Sequence, residues 1–225
     1  AGVVFRRCLD RSIFWILRIA REKVPQSLLS RSNWNIACRR EWIRHKKGGI
    51  DPFSGNRTAL LFTWIDHRNF PPEGGFADPH LGTLTEELKA LGFEVRYVVS
   101  MLPDASFVDA AEKLLKMCLP VYFPDYFADL AVIRRCRRRA RSFNPVIPKD
   151  SEVGGIPVEM LAREHVDDYR VFHAQVLLYE ELVYALSANG VSPEWIIHTC
   201  EGHSWEQALA WATRKQMPGT KIAGF

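Results

Sequence analysis

Residues 195–225 constrain the fold more tightly than any other stretch. Trp195-Ile196-Ile197-His198-Thr199-Cys200 is short, apolar and rich in β-branched residues, which predicts a buried strand. Glu201-Gly202-His203 breaks the pattern. Ser204 offers an N-cap hydroxyl, and Gln207 three residues on completes a capping box. Glu206 falls in the first turn, where the helix dipole favours an anion. Trp205, Ala208, Leu209 and Ala212 recur at helical spacing, Pro218-Gly219 ends the helix, and 220–225 begins another strand. Strand, helix and strand in so short a span predict a right-handed parallel crossover. Ligands of open α/β sheets sit outside the carboxyl ends of the strands. Here Glu201, His203 and the N–H groups opening the Ser204 helix fall at that place.

A second unit of this kind lies earlier. Thr58–Ile65 is a continuous apolar run, read as the first buried parallel strand. A long loop over 66–79 carries Pro71-Pro72 and Gly74-Gly75. Asp78-Pro79 predicts a helix start, aspartate as N-cap and proline at the first position. Thr83 with Glu86 offers a later start. Leu81, Leu84, Leu88 and Leu91 make the buried stripe, Gly92 the C-cap, and 93–99 the second strand. Two adjacent glycines free the backbone to approach a ligand, although an ordinary turn asks for the same residues.

The spacing further predicts helices over 34–44, 105–118, 126–141 and 158–189, a short strand at 121–123, and loop over 142–157. Inward positions are Phe107, Ala111, Leu114 and Leu115 on the second, and Val176, Tyr179, Val183 and Leu186 among those on the last. His165 and His173 stand eight apart with no third ligand nearby, a structural rather than a metal-binding pattern. Together these elements predict an α/β fold: a mostly parallel, Rossmann-like sheet with helices on both faces. A basic helical N-terminal segment (1–57) precedes it, and 58–225 form the sheet domain. The chain begins at Ala1 and stops just inside a strand, and so reads as part of a longer protein.

Charge is unevenly spread. Residues 1–50 hold twelve Lys/Arg and three Asp/Glu, a balance of +9, so the remainder totals −5 against the net +4. Residues 3–23 form a basic amphipathic helix, the pattern of an interfacial membrane helix and equally of a helix packed on its own domain. Six arginines fall within 134–141. Arg134, Arg135 and Arg138 are candidates for contact with phosphates of lipid head groups or of a lipid-linked acceptor. The acidic balance outside 1–50 argues against nucleic acid. No apolar run reaches the roughly 18–20 residues of a membrane span. Five scattered cysteines without a Cys-x-x-Cys pair point to reduced thiols in a cytoplasmic protein, possibilities for zinc being absent from the spacing.

Two blocks carry a family resemblance. Glu201-x-x-x-Trp205-Glu206-x-Ala208 with the following Thr-Lys-Ile-x-Gly-Phe strand resembles a segment of bacterial surface-carbohydrate glycosyltransferases with two Rossmann-like domains, the GT-B type. The block Gly74-Gly75-Phe76-Ala77-Asp78-Pro79-His80-Leu81-Gly82-Thr83-Leu84 resembles their first loop and helix start. Gly202-His203 stands where that family often has Asn-Gln. The resemblance implies an acceptor-side domain, a nucleotide-sugar donor held mainly by a second domain, a glycan or lipid-linked acceptor, and no metal or other cofactor. It also implies a peripheral place at the cytoplasmic face of the inner membrane, and no transfer by residues 1–225 alone.

Sugar transfer needs a base for the acceptor hydroxyl and groups to stabilise the leaving phosphate. Glu201 leads as base, then Asp78, then His203, with His67 a further candidate on a loop after a strand. Gly74, Gly75, His203, Ser204 and Glu206 are the expected substrate-binding residues. Each has a plainer capping or turn role beside the functional one. Trp205 fits the apolar stripe of its helix and reads as a core anchor. Cys200 lacks an orienting partner for a thiol nucleophile. The competing class is a non-catalytic α/β module that binds anionic membrane or a partner protein through its basic helices.

Overall fold

A computed structural model describes residues 31–47, 53, 55, 57–101, 107–142, 152–153, 156–157, 159 and 176–225. The amphipathic stretch 3–23, His165 and His173 lie outside the described residues.

In chain order the elements are α1 (Arg31–Lys47), β1 (Thr58–Ile65), a 3-10 turn (His67–Asn69), α2 (Leu84–Ala90), β2 (Glu94–Met101), α3 (Phe107–Lys116), β3 (Val121–Tyr122), α4 (Pro124–Phe127), α5 (Leu130–Ser142), β4 (Glu152–Val153), β5 (Ile156–Pro157), α6 (176–188), β6 (Trp195–His198), α7 (Ser204–Gln216) and β7 (Lys221–Gly224). Five strands form one parallel sheet in the order β3-β2-β1-β6-β7. The predicted α/β class and single parallel sheet are therefore observed. From β1 the chain builds outward through β2 and β3 on one side. Later it returns to β1's other edge and builds outward again through β6 and β7. The point where strand order reverses lies between β1 and β6.

Alternation along the strands sorts two cores. Ala59, Leu61 and Ile65 of β1, Val95, Tyr97 and Val99 of β2, and Ile197 of β6 face one side, with Trp42 and Ile43 of α1, Leu88 of α2, and Phe107, Ala111 and Leu114 of α3. Leu60, Phe62, Val98 and Ile196 face the other, against Leu182, Val183 and Leu186 of α6 and Trp205, Leu209 and Ala212 of α7. Helices thus cover both faces. Over its described part the N-terminal basic segment packs on this domain through α1. The α1 helix buries Trp42 edge-on to Phe107, with ring centroids 6.0 Å apart, and Arg40 donates to the Tyr126 carbonyl at 3.2 Å.

Several boundaries differ from expectation, each for a local reason. The predicted 126–141 helix is two helices: Pro124 opens the first, and Asp129 caps the second by accepting from Val132 N–H at 2.7 Å. Leu91 is 61% exposed rather than buried, because the chain turns at Gly92 and Phe93 takes the core position. In its stripe Thr85 is buried instead, bonded to Tyr97 Oη at 2.8 Å. On α6 the buried face includes Leu177 and Leu182, which the Val176–Tyr179 register misplaces. The expected loop over 142–157 contains the β4–β5 hairpin.

Candidate functional site

Two loops leave the carboxyl ends of the adjacent strands β1 and β6, at the reversal point where open α/β sheets take their ligands.

The β1 loop is built on Asp66, which is 3% exposed. Its carboxylate accepts from Arg68 N–H at 2.7 Å and from the Arg68 guanidinium at 3.0 and 2.6 Å. The Arg68 hydrogen bond holds its carboxyl below the ordinary value of 3.8, against the opposing effect of burial. Asn69, wholly buried, then staples the loop. Its Oδ1 accepts from Asp66 N–H at 2.8 Å, and its Nδ2 donates to the Ala77 carbonyl at 3.1 Å. His67 is exposed on this turn. Gly74 and Gly75 are exposed and both left-handed, with φ of 92° and 87°, so the tip needs glycine at both places.

Beyond the tip, Phe76 packs edge-on to Tyr97 at 5.4 Å, and Leu81 is wholly buried in the core of that face. Asp78, between them, is 7% exposed. Its Oδ1 accepts from His80 N–H at 2.9 Å and Leu81 N–H at 3.1 Å, while its Oδ2 has no partner. Asp78 therefore caps a turn, and the helix proper starts at Leu84 after Thr83, the later of the two starts expected. Thr83 bonds Glu87 at 2.8 Å rather than closing a box with Glu86. Burial pushes the Tyr97 hydroxyl up to about 12, and the charges of Asp78 and Glu86 add to it.

In the second loop the sequence reading misses by one residue. The N-cap of α7 is His203, not Ser204, and the acidic residue three positions on is Glu206, not Gln207. Glu206 is 7% exposed. Its carboxylate accepts from the backbone N–H groups of Glu201, Gly202 and His203 at 3.0, 3.2 and 3.2 Å. Glu206, expected in the first turn and among the substrate-binding residues, thus has its carboxylate engaged by the protein's own turn. Gly202 is left-handed, with φ of 78°. The outcome is to hold Glu201 and His203 outward together: His203 Nε2 and Glu201 Oε2 are 3.0 Å apart, with side chains 54% and 47% exposed. Ser204 is exposed beside them as the first helical residue.

Trp205 is the core anchor expected. It stacks on Tyr179 at 4.9 Å and meets Trp64 and His198 edge-on at 5.9 and 5.7 Å. His198, absent from the sequence candidates, is 7% exposed. Its Nδ1 lies 2.7 Å from the Thr199 carbonyl, which only accepts, so Nδ1 carries the proton. Cys200 stands after the strand and is exposed. Arg134, Arg135 and Arg138 stand on α5, outside both loops. Arg135 forms a two-pronged bond to Glu181 of α6, and Arg139 bonds Glu180 at 2.8 Å. Arg134, Arg138 and Arg141 are exposed.

Sequence reasoning also missed Thr63 and Thr199, each buried with its hydroxyl unpartnered. The available signal was a threonine near the carboxyl end of each of two apolar strand runs. Among the described residues no group of three or more His, Cys, Asp and Glu is placed to hold a metal. No helix among them is long and apolar enough to cross a membrane. No known family model matches the chain, and no curated protein matches it either.

Proposed function

We propose that this chain is the acceptor-side domain of a glycosyltransferase, moving a sugar from a nucleotide donor to a hydroxyl of a surface-polysaccharide or lipid-linked acceptor. The observation that carries this reading is the Glu201–His203 pair, held outward at the carboxyl end of β6 by the Glu206 cap. The Glu201 carboxylate takes the proton of the acceptor hydroxyl as its oxygen bonds the anomeric carbon. The bond from that carbon to the donor phosphate breaks, and the nucleotide leaves with the electron pair. His203 orients the carboxylate. Asp78 and the Gly74-Gly75 tip line the neighbouring loop. The donor nucleotide belongs to a second Rossmann-like domain, and no metal or cofactor enters the reaction. The protein works peripherally at the cytoplasmic face of the membrane.

The exposed arginines of α5 favour a second reading, a non-catalytic module docking on anionic membrane. The complete protein, assayed with a panel of nucleotide sugars and a membrane extract as acceptor, separates the two. Transfer that falls in Glu201→Gln supports the first. Absence of transfer, with vesicle binding retained, supports the second.

A further inference from the structure

We propose that the reversal point between β1 and β6 contains a subsite for a neutral, hydroxyl-bearing ring, gripped by the hydroxyls of Thr63 and Thr199 and by Asp78 Oδ2. It deepens the glycosyl-transfer reading, and rests on that reading for calling the ring an acceptor sugar.

Thr63 and Thr199 come together through strand register. Phe62 pairs with His198, so Thr63 and Thr199 are the next positions on each chain. The extended backbone continues past β6: Phe225 N–H donates to the His198 carbonyl at 2.8 Å, and Cys200 N–H to the Phe225 carbonyl at 3.0 Å. Alternation therefore puts Thr199 on the face of Ile197, and Thr63 on the same face with Leu61 and Ile65. Segment 76–81 lies over that face, anchored by Phe76 on Tyr97 and by buried Leu81. Asp78 and His80 belong to this cover, which the Asn69 staple ties to the end of β1.

Thr63, Asp78 and Thr199 are 3%, 7% and 5% exposed, and Thr63 Oγ1, Asp78 Oδ2 and Thr199 Oγ1 lack any hydrogen-bond partner. His80 Nε2 is a fourth such atom; the other two among the described residues, on Trp205 and Thr213, belong to α7. Native interiors leave few polar atoms unpaired, and each calls for a partner. Here four come from three segments, the ends of β1 and β6 and the cover over their shared face, at the edge where an open sheet takes its ligand. Their chemistry selects the partner. A carboxylate oxygen accepts only, and threonine hydroxyls both donate and accept. A ring hydroxyl satisfies both, whereas a phosphate would set negative charge against Asp78. Occupancy requires the cover to lift, and left-handed glycines flank it: Gly74 and Gly75 before, Gly82 after.

The test uses the complete chain with the methyl glycosides of glucose, galactose, mannose and N-acetylglucosamine, and with inorganic phosphate, read by ligand-observed NMR and by melting. At least one glycoside should bind. Thr63→Val and Thr199→Val should each weaken it about tenfold. Without ligand both variants should melt higher, because a methyl replaces a hydroxyl that has no partner. Thr63→Ser should retain binding. Valine variants that melt lower with glycoside binding unchanged would overturn the subsite in favour of a buried-water role. So would phosphate binding that the variants abolish, or no glycoside binding at all. If the wild type transfers sugar and the valine variants keep its acceptor KM, the subsite is wrong and the glycosyl-transfer reading stands. If no nucleotide sugar is turned over, yet a glycoside binds the wild type and not the valine variants, the subsite stands and that reading falls.

Discussion

Glu201 Oε2 and His203 Nε2 face each other at 3.0 Å on a turn whose backbone is held by a third residue, Glu206. Both partners are about half exposed, and an exposed pair of this kind adds little to stability. A rigid turn that presents an accessible carboxylate beside an imidazole suits proton transfer better than it suits packing. Glu201→Gln in the complete protein should lower turnover by roughly two to four orders of magnitude, the usual range for a general base. Its melting temperature should stay near the wild type. Full activity in that variant would remove Glu201 from the mechanism.

Glu206 should behave in the opposite way. It is buried, and three backbone N–H groups depend on its carboxylate. Glu206→Ala leaves those donors without their acceptor and should destabilise the domain by roughly 1–3 kcal/mol. Hydrogen exchange should quicken first at Glu201, Gly202 and His203. Unchanged exchange at these amides would show that the cap is dispensable.

The same two glutamates show how far the sequence can be read. The β1 strand was legible to the residue, because a continuous apolar run of eight, with β-branched and aromatic residues in it, is short for a core helix and suits a strand buried on both faces. The β6–α7–β7 unit was legible as a unit for the same reason. Its cap was not: Ser204 and His203 adjoin, and Ser is the stronger capping residue in isolation. Tertiary geometry chose His203, because that register brings Glu206 under the turn. The Asp66–Arg68–Asn69 staple is local, its bonds spanning two and three residues, and was passed over because 66–79 reads only as a polar loop; the Asn69 bond to Ala77, eight residues on, depends on how that loop folds back. Thr63 and Thr199 stand 136 positions apart in sequence, so only strand register could join them.

Gly224 sets a steric test of the β6–β7 edge. A Cβ placed there would lie 2.8 Å from Cys200 Cβ and 3.1 Å from its sulfur. Gly224→Ala should therefore destabilise by roughly 1–3 kcal/mol through overpacking. Cys200→Gly should restore it more fully than Cys200→Ala, which keeps the nearer of the two clashing atoms. Melting of the single and double variants measures the difference. A Gly224→Ala protein as stable as the wild type would mean that β7 shifts freely.

Acid should loosen the β1 loop before the rest of the domain. The Asp66 carboxyl is lowered in the folded chain, chiefly by its bond to Arg68. A group depressed in this way binds more protons unfolded than folded. Its stabilisation is present above the unfolded carboxyl value and is lost as pH falls through the folded one. The window therefore opens just below 3.8 and extends downward. Arg68 is 53% exposed, so solvent screening keeps the effect modest. Amide exchange at Arg68 and Asn69 should rise across that window, and Asp66→Asn should remove the pH dependence. The same acid response in Asp66→Asn would assign it to other groups.

Five of the six arginines of α5 fall into two sets, and the division predicts two phenotypes. Arg135 and Arg139, four apart, turn toward Glu181 and Glu180 and join α5 to α6. Arg134, Arg138 and Arg141, spaced by four and three, share an adjoining exposed face. Only the second set has its charge available for anionic head groups, each worth about 1 kcal/mol near such a surface. Arg134→Glu with Arg138→Glu should reduce flotation with phosphatidylserine vesicles and leave melting nearly unchanged. Arg139→Gln should lower melting, because Glu180 is buried and loses its partner, while flotation holds. Binding by the wild type should weaken steeply as salt rises, since the Debye length shortens to about 3 Å at 1 M. Flotation that ignores both salt and the double reversal would exclude this face as the membrane contact.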